Sequence, residues 1–268
     1  MIFEILIFFT FSHICYYSII GIGSLIYSRE KDLNFTNFVS FSIGLIILTI
    51  LGQLFYYFNL NNIYLNLFLL IFGLVIFLIF KFKDNKILLK GQFIISLLLF
   101  SGLLISKLHE DWSYHFDFIE QVSIFKPIIG IGNVEDIHVL SASYFSYLQK
   151  IFYLPYFKFK TVFVPIFLIY LNIVIFLISV LLKNKNNLSI IFITILGIIL
   201  IKMARFSEFG FDYISNFILL KILIIYFYNK TKDNFNLNDK SLYILFFCYA
   251  VSIKITALFF FPILLFLI

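Results

Sequence analysis

Residues 161–182 read TVFVPIFLIYLNIVIFLISVLL, a run with no charged side chain. A bilayer crossing takes about 20 mostly apolar residues. This stretch is therefore a membrane span, and similar runs surround it. Seven further candidates are Ile2–Tyr27, Phe38–Phe58, Ile63–Phe80, Phe93–Ser106, Leu188–Ile201, Tyr213–Tyr228 and Ser241–Ile268. Composition agrees. Of 268 residues, 62% are hydrophobic and only 13% charged, against about 25% charged in soluble domains. So few charges could not cover a water-soluble globule. A cytosolic enzyme, a disordered chain and a secreted disulfide scaffold are excluded. The expected fold is all-α: a polytopic transmembrane helix bundle of about eight spans, with one long extracytoplasmic loop carrying short amphipathic helices.

The first apolar run lacks a basic start, carries Glu4, and is too long for a signal-peptide core. Cys15 and Cys248 lie inside apolar runs, far apart, and form neither metal spacing nor a disulfide framework. The net charge of +6 fits basic cytoplasmic loops better than nucleic acid, which is not expected as a partner. The 18 lysines and two arginines, beside abundant Phe, Ile, Asn and Tyr, resemble the product of an A+T-rich genome.

With the N-terminus outside, the inner segments 28–37, 81–90, 183–187 and 229–240 hold eleven basic residues. The outer segments 59–62, 107–160 and 202–212 are longer in total and hold seven. Eight of the 14 acids fall outside: Glu110, Asp111, Asp117, Glu120, Glu135, Asp136, Glu208 and Asp212. Lys and Arg bias sets orientation, so the long loop is expected to face outward from a bacterial plasma membrane. The chain ends within the apolar run Phe259–Ile268, and the expectation is a single transmembrane domain whose C-terminal portion is missing.

Residues 107–160 are the only long polar stretch and hold the sole Trp and three of the four His. A loop of that length in a compact protein is usually functional. Ala142, Phe145, Leu148 and Phe152 recur at three- and four-residue steps, which predicts an amphipathic helix on the membrane surface, ended by Pro155. At the start of the loop stands His109-Glu110-Asp111-Trp112-Ser113-Tyr114-His115. Two adjacent carboxylates at a membrane boundary suit a general base or a metal ligand; they also fit solvated boundary charges beside an interfacial Trp and Tyr. Gly130-Ile131-Gly132-Asn133 reads as a tight turn rather than a phosphate loop. His109, His115 and His138 could join the acids at a divalent cation, without an HxxH or HxH spacing to support it.

In the second outer loop, Arg205 is one of only two arginines. Its fork suits a phosphate, and it equally suits snorkelling at the interface. Asp212 precedes a span and fits an N-cap or a site acid. Lys254 lies inside the last apolar run, where a charge costs roughly 2.5–3.5 kcal/mol on insertion scales. It should face protein, water or a ligand phosphate, unless the span ends sooner than counted.

The segments HEDWSYHF, GIGN and SASYFSYLQKIFYLP, followed by SEFGFD at 207–212 and SIKITA at 252–257, resemble in order the signature of a bacterial polytopic family related to the C-type glycosyltransferase superfamily. The resemblance implies transfer of a sugar from a polyprenyl-phosphate carrier to an extracytoplasmic acceptor by inverting displacement. It implies Asp111 or Glu110 as general base, Arg205 and Lys254 against the leaving phosphate, Trp112 and Tyr114 on sugar faces, and Asp212 as a second acid. His115, Asn133 and His138 join the substrate-binding set. The resemblance fixes no cofactor and leaves a divalent cation open, and membrane lipids are partners. The competing reading is a transporter or flippase for a lipid-linked or small anionic substrate, with Lys254 lining its path.

Overall fold

The computed structural model describes residues 2–28, 32–60, 62–82, 91–99, 119, 143–153, 161–183, 189–202, 211–231 and 237–268. Every regular element among the described residues is helical. In chain order these are α1 (Ile2–Ser24), α2 (Leu33–Tyr57), α3 (Ile63–Phe80) and α4 (91–99). There follow α5 (Phe145–Phe152), α6 (Val164–Lys183), α7 (Ser189–Lys202), α8 (Phe211–Thr231) and α9 (Leu237–Ile253). A 3₁₀ segment, Ile255–Phe260, leads into α10 (Phe261–Leu267). Four stretches are long and apolar enough to cross a membrane: Leu6–Ser24, Leu33–Tyr57, Ile63–Phe80 and Thr161–Lys183.

The helix ends follow local chemistry. Asp32 caps α2, its carboxylate accepting from the amides of Asn34 at 3.0 Å and Phe35 at 3.5 Å. That cap starts the helix five residues before the apolar run expected from Phe38. Asn62 caps α3 through the Tyr64 amide at 2.9 Å, and this helix keeps the expected bounds Ile63–Phe80. Pro165 sits in the first turn of α6, where its missing N–H breaks no helical bond.

The chain divides into two compact units, Met1–Phe176 with Met203–Phe209, and Leu177–Lys202 with Gly210–Ile268. The boundary falls within α6. In the first unit, α1 packs on both α2 and α3 through a seam of small residues. A Cβ on Gly21 would overlap the Gly73 carbonyl, one on Gly23 the Ser40 carbonyl, and one on Gly44 the Ile19 carbonyl. Lipid tails are as apolar as leucine, so helices in a bilayer gain by close backbone contact rather than by hydrophobic burial alone. Polar cross-links add to the seam. Asn172 on α6 donates to the Tyr16 hydroxyl at 3.2 Å, and His13 on α1 lies 2.6 Å from the Ser96 hydroxyl on α4. Phe38 stacks on Phe176 with centroids 4.2 Å apart. Cys15 is buried in this core, whereas Cys248 in the second unit is exposed.

α5 is the amphipathic helix expected from its spacing, but its apolar face meets protein. Phe145, Leu148 and Phe152 are buried, and the helix packs on α2 and reaches α3. Tyr153 is extended (φ −69°, ψ 116°) and ends it; Ala142 and Pro155 lie outside the described residues. In the second unit, α8 packs on α9 and touches the 3₁₀ segment. The expected last span, Ser241–Ile268, is not one helix: it is interrupted at Lys254.

Candidate functional site

α9 stops at Ile253, and Lys254 adopts an extended backbone (φ −147°, ψ 122°) before the 3₁₀ turn begins. Its amide still donates to the Ala250 carbonyl at 3.0 Å, and its own carbonyl accepts from Ala257 at 3.0 Å. The break is thus one residue wide and falls on the only charged residue of the segment 241–268. Lys254 is half-buried, with Ser252 and Thr256 exposed on either side. A cation in an apolar segment is stabilised by a polar partner, and irregular backbone at membrane depth survives where it borders protein or a polar cavity.

Lys254 has an acid at its level. The Ser215 hydroxyl on α8 donates to the Ala250 carbonyl on α9 at 3.1 Å. That bond joins the first turns of α8 to the last turn of α9, so the two helices run antiparallel. Asp212 lies three residues before Ser215 and Lys254 four beyond Ala250. At about 1.5 Å per residue, both backbones stand about 4–6 Å from the bond, toward the same end of the pair. Two residues expected at the site, 42 positions apart in sequence, are brought to one level of one helix pair.

Sequence reasoning passed over Lys221. It sits in the middle of α8 and is fully buried. It lies six residues beyond Ser215 in the opposite direction from Asp212, hence about 15 Å along the axis from Lys254. The signal was present: Lys221 and Lys254 are the only lysines or arginines inside the expected spans.

A second polar cluster, also missed, lies in the first unit where α5 meets the end of α2. The Lys150 ammonium sits 5.4 Å from the Tyr56 ring centroid. Tyr147 lies 5.7 Å from Tyr56, 6.5 Å from Tyr57 and 6.1 Å from Tyr144, ring to ring. Asn66 on α3 donates to the Lys150 carbonyl at 3.4 Å, fastening α5 to both helices. Lys150 is 2% exposed, and burial pushes its ammonium down to about 8. Burial, reinforced by the neighbouring Tyr57, pushes the Tyr147 phenol up. Gln149 is fully buried and donates to the Val162 carbonyl at 3.3 Å, while its amide oxygen has no hydrogen-bond partner among the described residues. The reading of this helix from its apolar spacing named neither Gln149 nor Lys150.

Glu110, Asp111, Trp112, Tyr114, His115, Asn133, His138 and Arg205 lie outside the described residues, and Asp212 is described by its backbone alone. Among the described residues no three His, Cys, Asp or Glu side chains cluster as metal ligands. No family model, curated protein or solved structure matches the chain.

Proposed function

We propose that the chain is a membrane glycosyltransferase of the bacterial plasma membrane, with about eight spans and the loop 107–160 outside. It takes a sugar from a polyprenyl-phosphate carrier and delivers it to an extracytoplasmic acceptor. The observation that carries this reading is Lys254, set at a one-residue break in an apolar segment and level with Asp212 on the neighbouring helix. A cation held at such a break suits a lipid phosphate, whose tail shares the apolar surroundings.

In this reading Asp111 or Glu110 removes the proton from the acceptor hydroxyl. The acceptor oxygen attacks the anomeric carbon from the face opposite the carrier. The carbon–oxygen bond to the phosphate breaks, its electron pair leaves with the polyprenyl phosphate, and the anomeric centre inverts. Lys254 and Arg205 offset charge that grows on the leaving phosphate, an effect strongest in the transition state. Trp112 and Tyr114 stack on the sugar, His115, Asn133 and His138 bind its polar groups, and Asp212 is a second acid. A divalent cation remains compatible with this set.

The test is native mass spectrometry of the detergent-purified protein, wild type and Lys254→Ala. A co-purifying polyprenyl phosphate, lost in the variant, is expected. Ordinary phospholipids alone, unchanged by the substitution, would defeat the reading. The same helix break favours a second function, a transporter or flippase for a lipid-linked or small anion, because such proteins bind substrates at interrupted helices. Sugar transfer lost in Asp111→Asn or Glu110→Gln, with lipid binding retained, selects the transferase. Lipid movement in vesicles, unaffected by either substitution, selects the transporter.

A further inference from the structure

Two polar rungs cross between α1 and α4. The Tyr17 hydroxyl donates to the Gln92 amide oxygen at 3.4 Å, and His13 Nε2 stands 2.6 Å from the Ser96 hydroxyl. From the first rung to the second the chain steps back four residues on α1 and forward four on α4. The helices therefore run antiparallel, with both rungs on one seam. Ser96 and Gln92 are buried, and His13 is half-buried. His13 lies in Leu6–Ser24, long and apolar enough to cross a membrane, and an ionisable side chain at such depth marks a functional site by default.

The hydrogens at His13 fall short while its ring is neutral. Nδ1 lies 2.9 Å from the Phe9 carbonyl, which can only accept, so Nδ1 carries a hydrogen. The Ser96 hydroxyl has one hydrogen and two acceptors in reach, His13 Nε2 and, at 2.8 Å, the Phe93 carbonyl. Two hydrogens thus serve three contacts. A proton on Nε2 supplies the third. His13 then donates to Phe9 and Ser96, and Ser96 donates to Phe93. The heavy atoms keep their places, and only the hydroxyl turns.

We propose that the His13–Ser96 pair is a binding site for one proton, whose uptake clamps α4 more firmly onto α1. The charged form exchanges a neutral bond for a charge-assisted one, roughly twice as strong. The rings of Phe9 and Phe93 flank the imidazole, with centroids 4.3 and 5.6 Å away. The titratable groups near its level are Cys15, Tyr16 and Tyr17 on α1 and Tyr170 on α6, all uncharged near neutral pH. The described part of α4 and the adjoining turns of α2 and α3 carry none. Lys150, on α5 packed against α2 and α3, is the charged group nearest that level. Because α4 supplies the acceptor for the added proton, proton and docking support each other, and the joint tightens as pH falls. The site lies in the first compact unit, whereas Lys254 belongs to the second, so it does not depend on the function proposed above.

The experiment uses the full chain in detergent at about pH 5.5 and about pH 7.5, the range in which histidine switches. Nitrogen NMR of the labelled imidazoles reads protonation, with His13→Gln identifying the His13 signals. Hydrogen exchange of the amides at 91–99, corrected for the intrinsic effect of pH, reads docking. At the lower pH both His13 nitrogens are expected to carry hydrogens, and exchange is expected to be about fivefold slower than at the higher pH. Ser96→Ala is expected to abolish that ratio and Ser96→Thr, which keeps the hydroxyl, to retain it. Tyr17→Phe removes the other rung, and should speed exchange at both pH values while leaving the ratio intact. If His13→Gln does not fold, the signals that Ser96→Ala moves identify His13. A ring still neutral at the lower pH overturns the proposal. So does a protonated ring with exchange unchanged or faster, or a ratio that survives in Ser96→Ala.

Discussion

The Tyr147 carbonyl of α5 lies against the bare backbone of Gly52 on α2, so close that a Cβ at residue 52 would overlap it. This contact fixes where α5 docks, and with it the positions of Lys150 and Tyr147. Gly52→Ala is expected to displace α5 and destabilise the protein by about 1–3 kcal/mol, as overpacking does. Gly197 on α7 has open space at its Cβ position, so Gly197→Ala should instead stabilise by about 0.5–1 kcal/mol. Thermal unfolding in one detergent compares the two, and a Gly52→Ala midpoint at or above wild type would contradict the docking.

The Asp32 side chain caps the start of α2. Asp32→Ala should cost about 1 kcal/mol, and Asp32→Ser should restore most of it, since a serine oxygen caps equally well. The thermal midpoints of the two variants check this.

The Ser215–Ala250 bond registers α8 against α9. Interhelical hydrogen bonds of this kind average about 0.6 kcal/mol in membrane proteins, so Ser215→Ala should lower stability only slightly. The register makes a stronger claim about proximity: cysteines at Asp212 and Lys254 should cross-link with a short bifunctional reagent, and cysteines at Lys221 and Lys254 should not. Gel mobility after cleavage of an engineered 232–236 link reads the result.

Lys150 sets a pH dependence. Its folded-state value of about 8 lies below its ordinary 10.5. Between those values the unfolded chain holds more protons than the folded one, so folding becomes more favourable as pH rises. The term is absent in Lys150→Met. Wild type should therefore gain stability relative to that variant between pH 8 and pH 10.5. Parallel midpoints across the range would show that Lys150 is solvated like a surface lysine.

What the sequence made legible depended on how local the signal was. Ile63–Phe80 was readable at both ends because its apolar run and its Asn62 cap coincide. The start of α2 was not, because Asp32 precedes the polar-looking residues Asn34, Thr36 and Asn37, of which the latter two are buried by packing. Spacing found α5 through Phe145, Leu148 and Phe152, but periodicity cannot say that a helix is enclosed on its other side as well, which is why Gln149 and Lys150 went unnoticed. Hydropathy saw Lys254 as a charge and missed the break, since an average over a window carries no backbone angle. The same averaging hid Lys221 among its apolar neighbours. Asp212 and Lys254 were each singled out; their shared level came only from the α8–α9 register.

The glycine seam between α1, α2 and α3 has a mechanical consequence. Where backbones touch without intervening side chains, there are no rotamers to rearrange and little room to slide, so these three helices resist shear as a block. The second unit has the opposite character at Lys254, where a single extended residue parts two helical segments and a turn of two dihedral angles swings the 3₁₀ segment and α10 together. A rotation there would turn on the same residue that carries the one charge of the segment 241–268, so a ligand that fixes the charge would also stiffen the joint.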